Sequence, residues 1–157
     1  MTTVPLASRV IHCPDPASTT RLGRSLGAVA HAGDVVCLWG DLGAGKTHLA
    51  KAFGAGLGVT ETITSPTFIL MAEYQGRLPL FHVDPYRLAD ASDAIAGGLV
   101  DDRQAAGVTL IEWPERFGDS LPGERLDVRI DGAGDEPRDV TLVATGPGYE
   151  RYLEAVS

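Results

Sequence analysis

Residues 40 to 47 read Gly40-Asp41-Leu42-Gly43-Ala44-Gly45-Lys46-Thr47, the pattern G-x-x-x-x-G-K-[ST]. That spacing belongs to chains that grip a polyphosphate. The glycines let the backbone curl until successive N–H groups face phosphate oxygens, and the positive end of a following helix adds to the field. In this arrangement Lys46 reaches the β- and γ-phosphates and the Thr47 hydroxyl is offered to magnesium. The Lys-Thr ending excludes a dinucleotide-binding G-x-G-x-x-G loop. No N-K-x-D segment is present to read guanine, so the expected ligands are ATP or ADP with Mg²⁺.

Magnesium also calls for an acid at the end of a neighbouring strand. Two apolar runs end that way, Leu80-Phe81-His82-Val83-Asp84 and Val108-Thr109-Leu110-Ile111-Glu112. A buried strand-end carboxylate without a partner costs several kcal/mol, so such a residue usually has a cation or a hydrogen-bond network to satisfy it. Asp84 and Glu112 are therefore both candidates, and the sequence leaves open which one touches the metal. A surface turn acid is the plainer alternative for each.

The elements that must hold these groups follow from periodicity. Asp15-Pro16 offers a cap with proline at the first helical position. Leu22, Leu26, Val29 and Ala30 then recur at helical spacing until Gly33. Val35 to Trp39 is a short continuous apolar run ending in glycine, as in a strand buried on both faces. From Lys46 to Leu57 the apolar spacing predicts a helix packed on that sheet, with Gly58 placed to end it. Phe68 to Tyr74 and Leu78 to Val83, joined at Gln75-Gly76, predict two strands and a tight turn, which makes the sheet mixed. Asp90 to Ala106 reads as a helix interrupted by Gly97-Gly98. Val108 to Glu112 is another buried strand, and Leu126 to Ile130 with Val140 to Ala144 form a terminal hairpin across a polar loop. The expected fold class is α/β, a P-loop NTPase-like three-layer fold with a mixed central β-sheet flanked by helices, the 157 residues forming one domain.

A formal net charge of -8, from 21 acidic and 13 basic residues, argues against a broad footprint on a nucleic-acid backbone. Cys13 and Cys37 lie in no C-x-x-C or Cys/His pattern. The histidines His12, His31, His48 and His82 are dispersed, which favours surface or packing roles over metal ligation. No apolar stretch approaches a membrane span and no charged start precedes an apolar run, so no membrane contact and a cytoplasmic location are expected.

Four segments together carry a family resemblance: residues 40 to 47, Ser-Pro-Thr-Phe at 65 to 68, His-x-Asp-x-Tyr-Arg-Leu at 82 to 88, and Ile-Glu-Trp-Pro-Glu-Arg at 111 to 116. In order and spacing they resemble the TsaE family, formerly called YjeE, through nearly the whole chain. The resemblance implies a bacterial ATPase that assists synthesis of N6-threonylcarbamoyladenosine (t6A) at position 37 of tRNAs reading ANN codons. It implies action on a complex of TsaD and TsaB, with tRNA met only indirectly through that complex. By position, Thr47 and Glu112 are similar to the family's magnesium ligands, and Asp84 to the acid that holds a metal water or orients the attacking water. Asp84, Lys46 and Glu112 are thus the candidate catalytic residues. Ser65 and Thr67 resemble a switch-like segment facing the γ-phosphate, with a proline-containing turn as the alternative. Thr19 aligns with a position near adenine and Arg138 with a basic position in the last hairpin.

Arg87, after Tyr86, fits either phosphate stabilisation, partner docking or a structural salt bridge. Trp113 fits packing near nucleotide, a partner surface or the core. The chain departs from the family pattern at three places. His48, counted here with the nucleotide-facing residues, stands where many members carry a second threonine. Pro85 replaces a leucine, and Asp93-Ala94 fill a usually glutamate-rich stretch. Two other readings of the phosphate grip stay open: a small-molecule kinase, for which no arginine-rich lid is recognisable, and a nucleotide-dependent scaffold without essential hydrolysis.

Overall fold

The computed structural model describes residues 7–41, 43–63, 71–84 and 105–156. Seven strands form one sheet: β1 Ala7–Cys13, β2 Val35–Trp39, β3 Met71–Gln75, β4 Pro79–Val83, β5 Val108–Glu112, β6 Leu126–Asp131 and β7 Arg138–Ala144. Their order is β1-β7-β6-β2-β5-β4-β3. The middle four, β6, β2, β5 and β4, run parallel, while β7, β1 and β3 are added antiparallel at the flanks. The sheet is therefore mixed, as expected, and its parallel centre is the near-continuous apolar part of the sequence.

Side-chain alternation divides the sheet into two faces. Val36, Leu38, Leu80, Val108 and Leu110 join the main core with helices α1 (Pro16–Ala28) and α2 (Lys46–Gly56). Cys37, Val83 and Ile111 face the other way, where Phe117 of a 3-10 segment, Pro114–Ser120, packs on them. On that count His82 and Glu112 belong to the face that carries α2.

Helix α1 begins as its sequence requires. The Asp15 carboxylate accepts from the Ser18 amide at 2.8 Å while the Asp15 amide donates to the Ser18 hydroxyl at 3.2 Å, a reciprocal cap ahead of Pro16. It ends at Ala28, short of Gly33. Helices α1 and α2 touch backbone to backbone, since a Cβ on Gly27 would stand 2.1 Å from the Phe53 carbonyl oxygen. Arg77 closes the end of α1 by donating to the carbonyls of Gly27, Ala28 and Ala30.

Three elements were not anticipated. Strand β1 lies on the sheet edge with most side chains exposed, Val10 at 63%. The 3-10 segment follows Trp113. A short helix α3, Glu150–Glu154, is held by Asp34, which accepts from the Tyr152 hydroxyl at 2.5 Å, the His31 amide at 2.9 Å and the Arg151 guanidinium. The predicted helix at Asp90 to Ala106 falls almost entirely outside the described residues, as does the start of the strand predicted from Phe68.

Candidate phosphate and metal site

The glycine-rich segment sits where β2 ends and α2 begins, between the strand and the helix that its sequence pattern demands. Gly45 is the N-cap of α2 at φ 101°, a left-handed conformation suited to glycine, and it brings no capping side chain. The first bond that closes the helix runs from the Leu49 amide to the Gly45 carbonyl at 3.0 Å. The N-terminus of α2 thus opens toward the loop with its dipole undimmed by a side-chain cap.

Lys46 is only 6% exposed. Its amine donates to the carbonyls of Gly40 and, at 3.3 Å, Asp41, and lies 3.6 Å from the centroid of the Trp113 ring. Trp113 adopts φ 53°, the one positive value at a non-glycine position among the described residues. A bulky side chain there costs about 1–2 kcal/mol, and the turn lays the indole against the amine. Burial lowers the Lys46 pKa, opposed by the charges of Glu112, Glu115, Asp41 and Asp84. Four acids therefore share the field of one desolvated amine.

Thr47 and Glu112 meet across the end of the sheet: the threonine hydroxyl donates to Glu112 Oε1 at 3.4 Å. The other carboxylate oxygen, Oε2, is 2.6 Å from His82 Nε2, and this pair is buried. A hydroxyl and a carboxylate at this separation are hard oxygen donors of the kind magnesium takes, alongside phosphate oxygens and water. Among the described residues no cluster of three or more His, Cys, Asp or Glu side chains is arranged to hold a metal.

Beside the loop lies a cavity of about 220 Å³, bordered by Thr19, Ala44, Gly45, His48 and Arg138 among others. His48 Nε2 is 3.0 Å from the Thr20 hydroxyl, and Thr19 Oγ1 donates to the Asp15 carbonyl at 3.5 Å. Arg138 is placed differently from a free basic group awaiting a ligand. Its Nε donates to Ala44 O at 2.8 Å, and further donors reach Gly134 O at 3.0 Å, Gly43 O at 3.5 Å and Glu136 O. It clamps the glycine-rich loop from β7.

The structure thus gathers Gly40, Asp41, Gly43, Ala44, Gly45, Lys46, Thr47 and Glu112 at one end of the sheet, with Asp84 within electrostatic reach, and sets Thr19, His48 and Arg138 around the adjoining cavity. Leu42, Ser65, Thr67, Pro85, Tyr86, Arg87, Asp93 and Ala94 lie outside the described residues. Sequence reasoning did not single out the 134–136 loop, which borders the cavity, and gave His82 no contact with the site. Only the β4–β5 pairing reveals that contact.

The family profile described as "Threonylcarbamoyl adenosine biosynthesis protein TsaE" matches residues 13–140. The chain belongs to the TsaE family. The TsaE protein of Bacillus subtilis strain 168 is 43% identical over 144 residues, covering 91% of this chain and 90% of that protein. The TsaE of Streptomyces coelicolor is 41% identical, covering 85% and 93%. The crystal structure of Bacillus subtilis YdiB superposes with a TM-score of 0.75 at 37% identity, covering 94% of this chain and 93% of that one. The α/β fold is accordingly that of a TsaE relative, and no helix among the described residues is long and apolar enough to cross a membrane.

Proposed function

We propose that this TsaE-family protein binds and hydrolyses Mg-ATP at residues 40 to 47, and that it thereby supports t6A formation at position 37 of tRNAs reading ANN codons by acting on a TsaD–TsaB complex. The observation that carries the nucleotide reading is the meeting of Lys46, Thr47 and Glu112 at an uncapped helix start. The family's known role, threonylcarbamoyl adenosine biosynthesis, supports the pathway.

Under this reading Thr47 and Glu112 would hold magnesium, and Asp84 would hold a metal-bound water or align the attacking water. The ion supplies charge neutralisation on the transferring phosphate. Lys46 leaves the carbonyls of Gly40 and Asp41 for the β- and γ-phosphates, exchanging neutral acceptors for charged ones. Loop amides and the α2 N-terminus stabilise the same charge. The cavity flanked by Thr19 and His48 receives the base and ribose.

Arg138 is committed to the loop backbone and does not act as an arginine finger. On this reading hydrolysis by the protein alone is slow, and the TsaD–TsaB complex accelerates it. The test measures phosphate release with wild type, Lys46→Ala and Asp84→Ala, each with and without TsaD–TsaB. Acceleration by the complex in wild type alone supports the reading. Phosphate that appears only on an added metabolite would identify a kinase instead, and binding without turnover in any mixture would identify a scaffold.

A further inference from the structure

The buried imidazole of His82 has no assigned task, and its surroundings give it one. It is 0% exposed on the α2-facing side of β4, and its Nε2 lies 2.6 Å from Glu112 Oε2. Its other nitrogen, Nδ1, is buried with no hydrogen-bond partner. A proton on Nδ1 would be a buried donor lacking an acceptor, at a cost of about 1–3 kcal/mol. The satisfied tautomer therefore carries its proton on Nε2 and donates it to Glu112.

An apolar side chain at position 82, opposite Leu110 and on the same strand face as Leu80, would bring no orphaned nitrogen. Packing alone thus does not account for a histidine. The contact does something packing cannot: it commits Oε2 inward, which turns Oε1 toward the Thr47 hydroxyl at 3.4 Å. Parallel register fixes the arrangement, because His82 pairs with Leu110 and Glu112 follows two residues on along the same face.

We infer that His82 is a positioning residue for magnesium: its Nε2–H holds the Glu112 carboxylate so that one oxygen is presented beside the Thr47 hydroxyl. This rests on the reading of Thr47 and Glu112 as the metal donors. Hydrogen-bonded partners of ligating groups typically govern metal affinity by about 10- to 100-fold. The effect falls on the metal-dependent part of nucleotide binding and leaves the phosphate grip itself intact.

The experiment is calorimetric titration of the full chain with a non-hydrolysable ATP analogue, with EDTA and with excess Mg²⁺. Variants are His82→Leu, His82→Met and His82→Gln, the last retaining a distal N–H donor. Nitrogen NMR of the metal-free protein reports the His82 tautomer. The proposal expects the Nε2–H form, wild-type affinity for all three variants in EDTA, an enhancement by Mg²⁺ reduced about tenfold or more in the apolar variants, and substantial rescue by glutamine. An undiminished Mg²⁺ enhancement in His82→Leu overturns it, as does equal weakening with and without the ion, an Nδ1–H tautomer, or failure of both apolar variants to fold. If wild type binds no nucleotide, or binds it indifferently to Mg²⁺, the functional reading beneath the proposal is what fails.

Discussion

Replacing Arg138 with methionine tests whether the glycine-rich loop is held from outside itself. The guanidinium donates one partly buried bond, 2.8 Å to Ala44 O, and exposed bonds to Gly43, Gly134 and Glu136 carbonyls. A hydrogen bond from a charged donor contributes about 1.5–3 kcal/mol when it is not fully hydrated, and the exposed ones add little. Removing the clamp should therefore free the loop by about 1.5–3 kcal/mol, which binding must then supply. Nucleotide affinity should fall roughly 10- to 100-fold. The fork geometry makes a second variant decisive. Lysine keeps the positive charge but cannot bridge the carbonyls of the glycine-rich loop and of the 134–136 loop at once, so Arg138→Lys should lose nearly as much affinity as Arg138→Met. Fluorescent-nucleotide titration measures both, with thermal melts of the free proteins as the control; Tm should drop by only a few degrees because the freed segment is local. Arg138→Lys binding like wild type would refute the clamp and favour direct contact between charge and nucleotide, and unchanged affinity in both variants would refute either role.

Asp34→Ala removes the acceptor shared by Arg151, Tyr152 and the His31 amide; a loss of about 2–4 kcal/mol is expected, read as a markedly lower denaturant midpoint, with nucleotide affinity unaffected. Gly27→Ala forces a methyl against the Phe53 carbonyl and should cost about 1–3 kcal/mol through displacement of α1 from α2; a melting curve unchanged from wild type would contradict the close contact. Burial lowers the Lys46 pKa below its ordinary 10.5, so the folded state disfavours the charged amine. That penalty is complete below the folded-state pKa and is relieved as pH rises toward 10.5, where the unfolded chain still binds the proton. The nucleotide-free wild type should therefore gain stability relative to Lys46→Met across that alkaline window, and a gap constant with pH would oppose this.

What the sequence made legible was whatever depends on neighbours along the chain. Val35 to Trp39, the loop and the start of α2 form one continuous signal, and Asp15-Pro16 announces α1 through a local cap. Val108 to Glu112 is legible because Val108, Leu110 and Ile111 make a short apolar run ending in an acid, and the strand is buried throughout. Strand β1 is not, because at the edge of the sheet Ser8, Arg9 and His12 face outward and break any alternation. Helix α3 is five residues long and is held by Asp34, over a hundred residues earlier. The candidate site divides in the same way. Lys46 and Thr47 were readable from their spacing, whereas His82 acquires meaning only when β4 lies parallel to β5. Arg138 reads as a basic residue in a hairpin until β7 brings it to the Ala44 carbonyl.

The central claim, that nucleotide use at residues 40 to 47 supports t6A formation, is tested most directly by multi-turnover threonylcarbamoyl transfer to tRNA. TsaD and TsaB from the same source are supplied with saturating Mg-ATP and either wild-type protein or Lys46→Ala. The account predicts sustained turnover with wild type and, with the variant, an output that stalls near the level reached without the protein. Equal turnover with both proteins, or none with either, would contradict it.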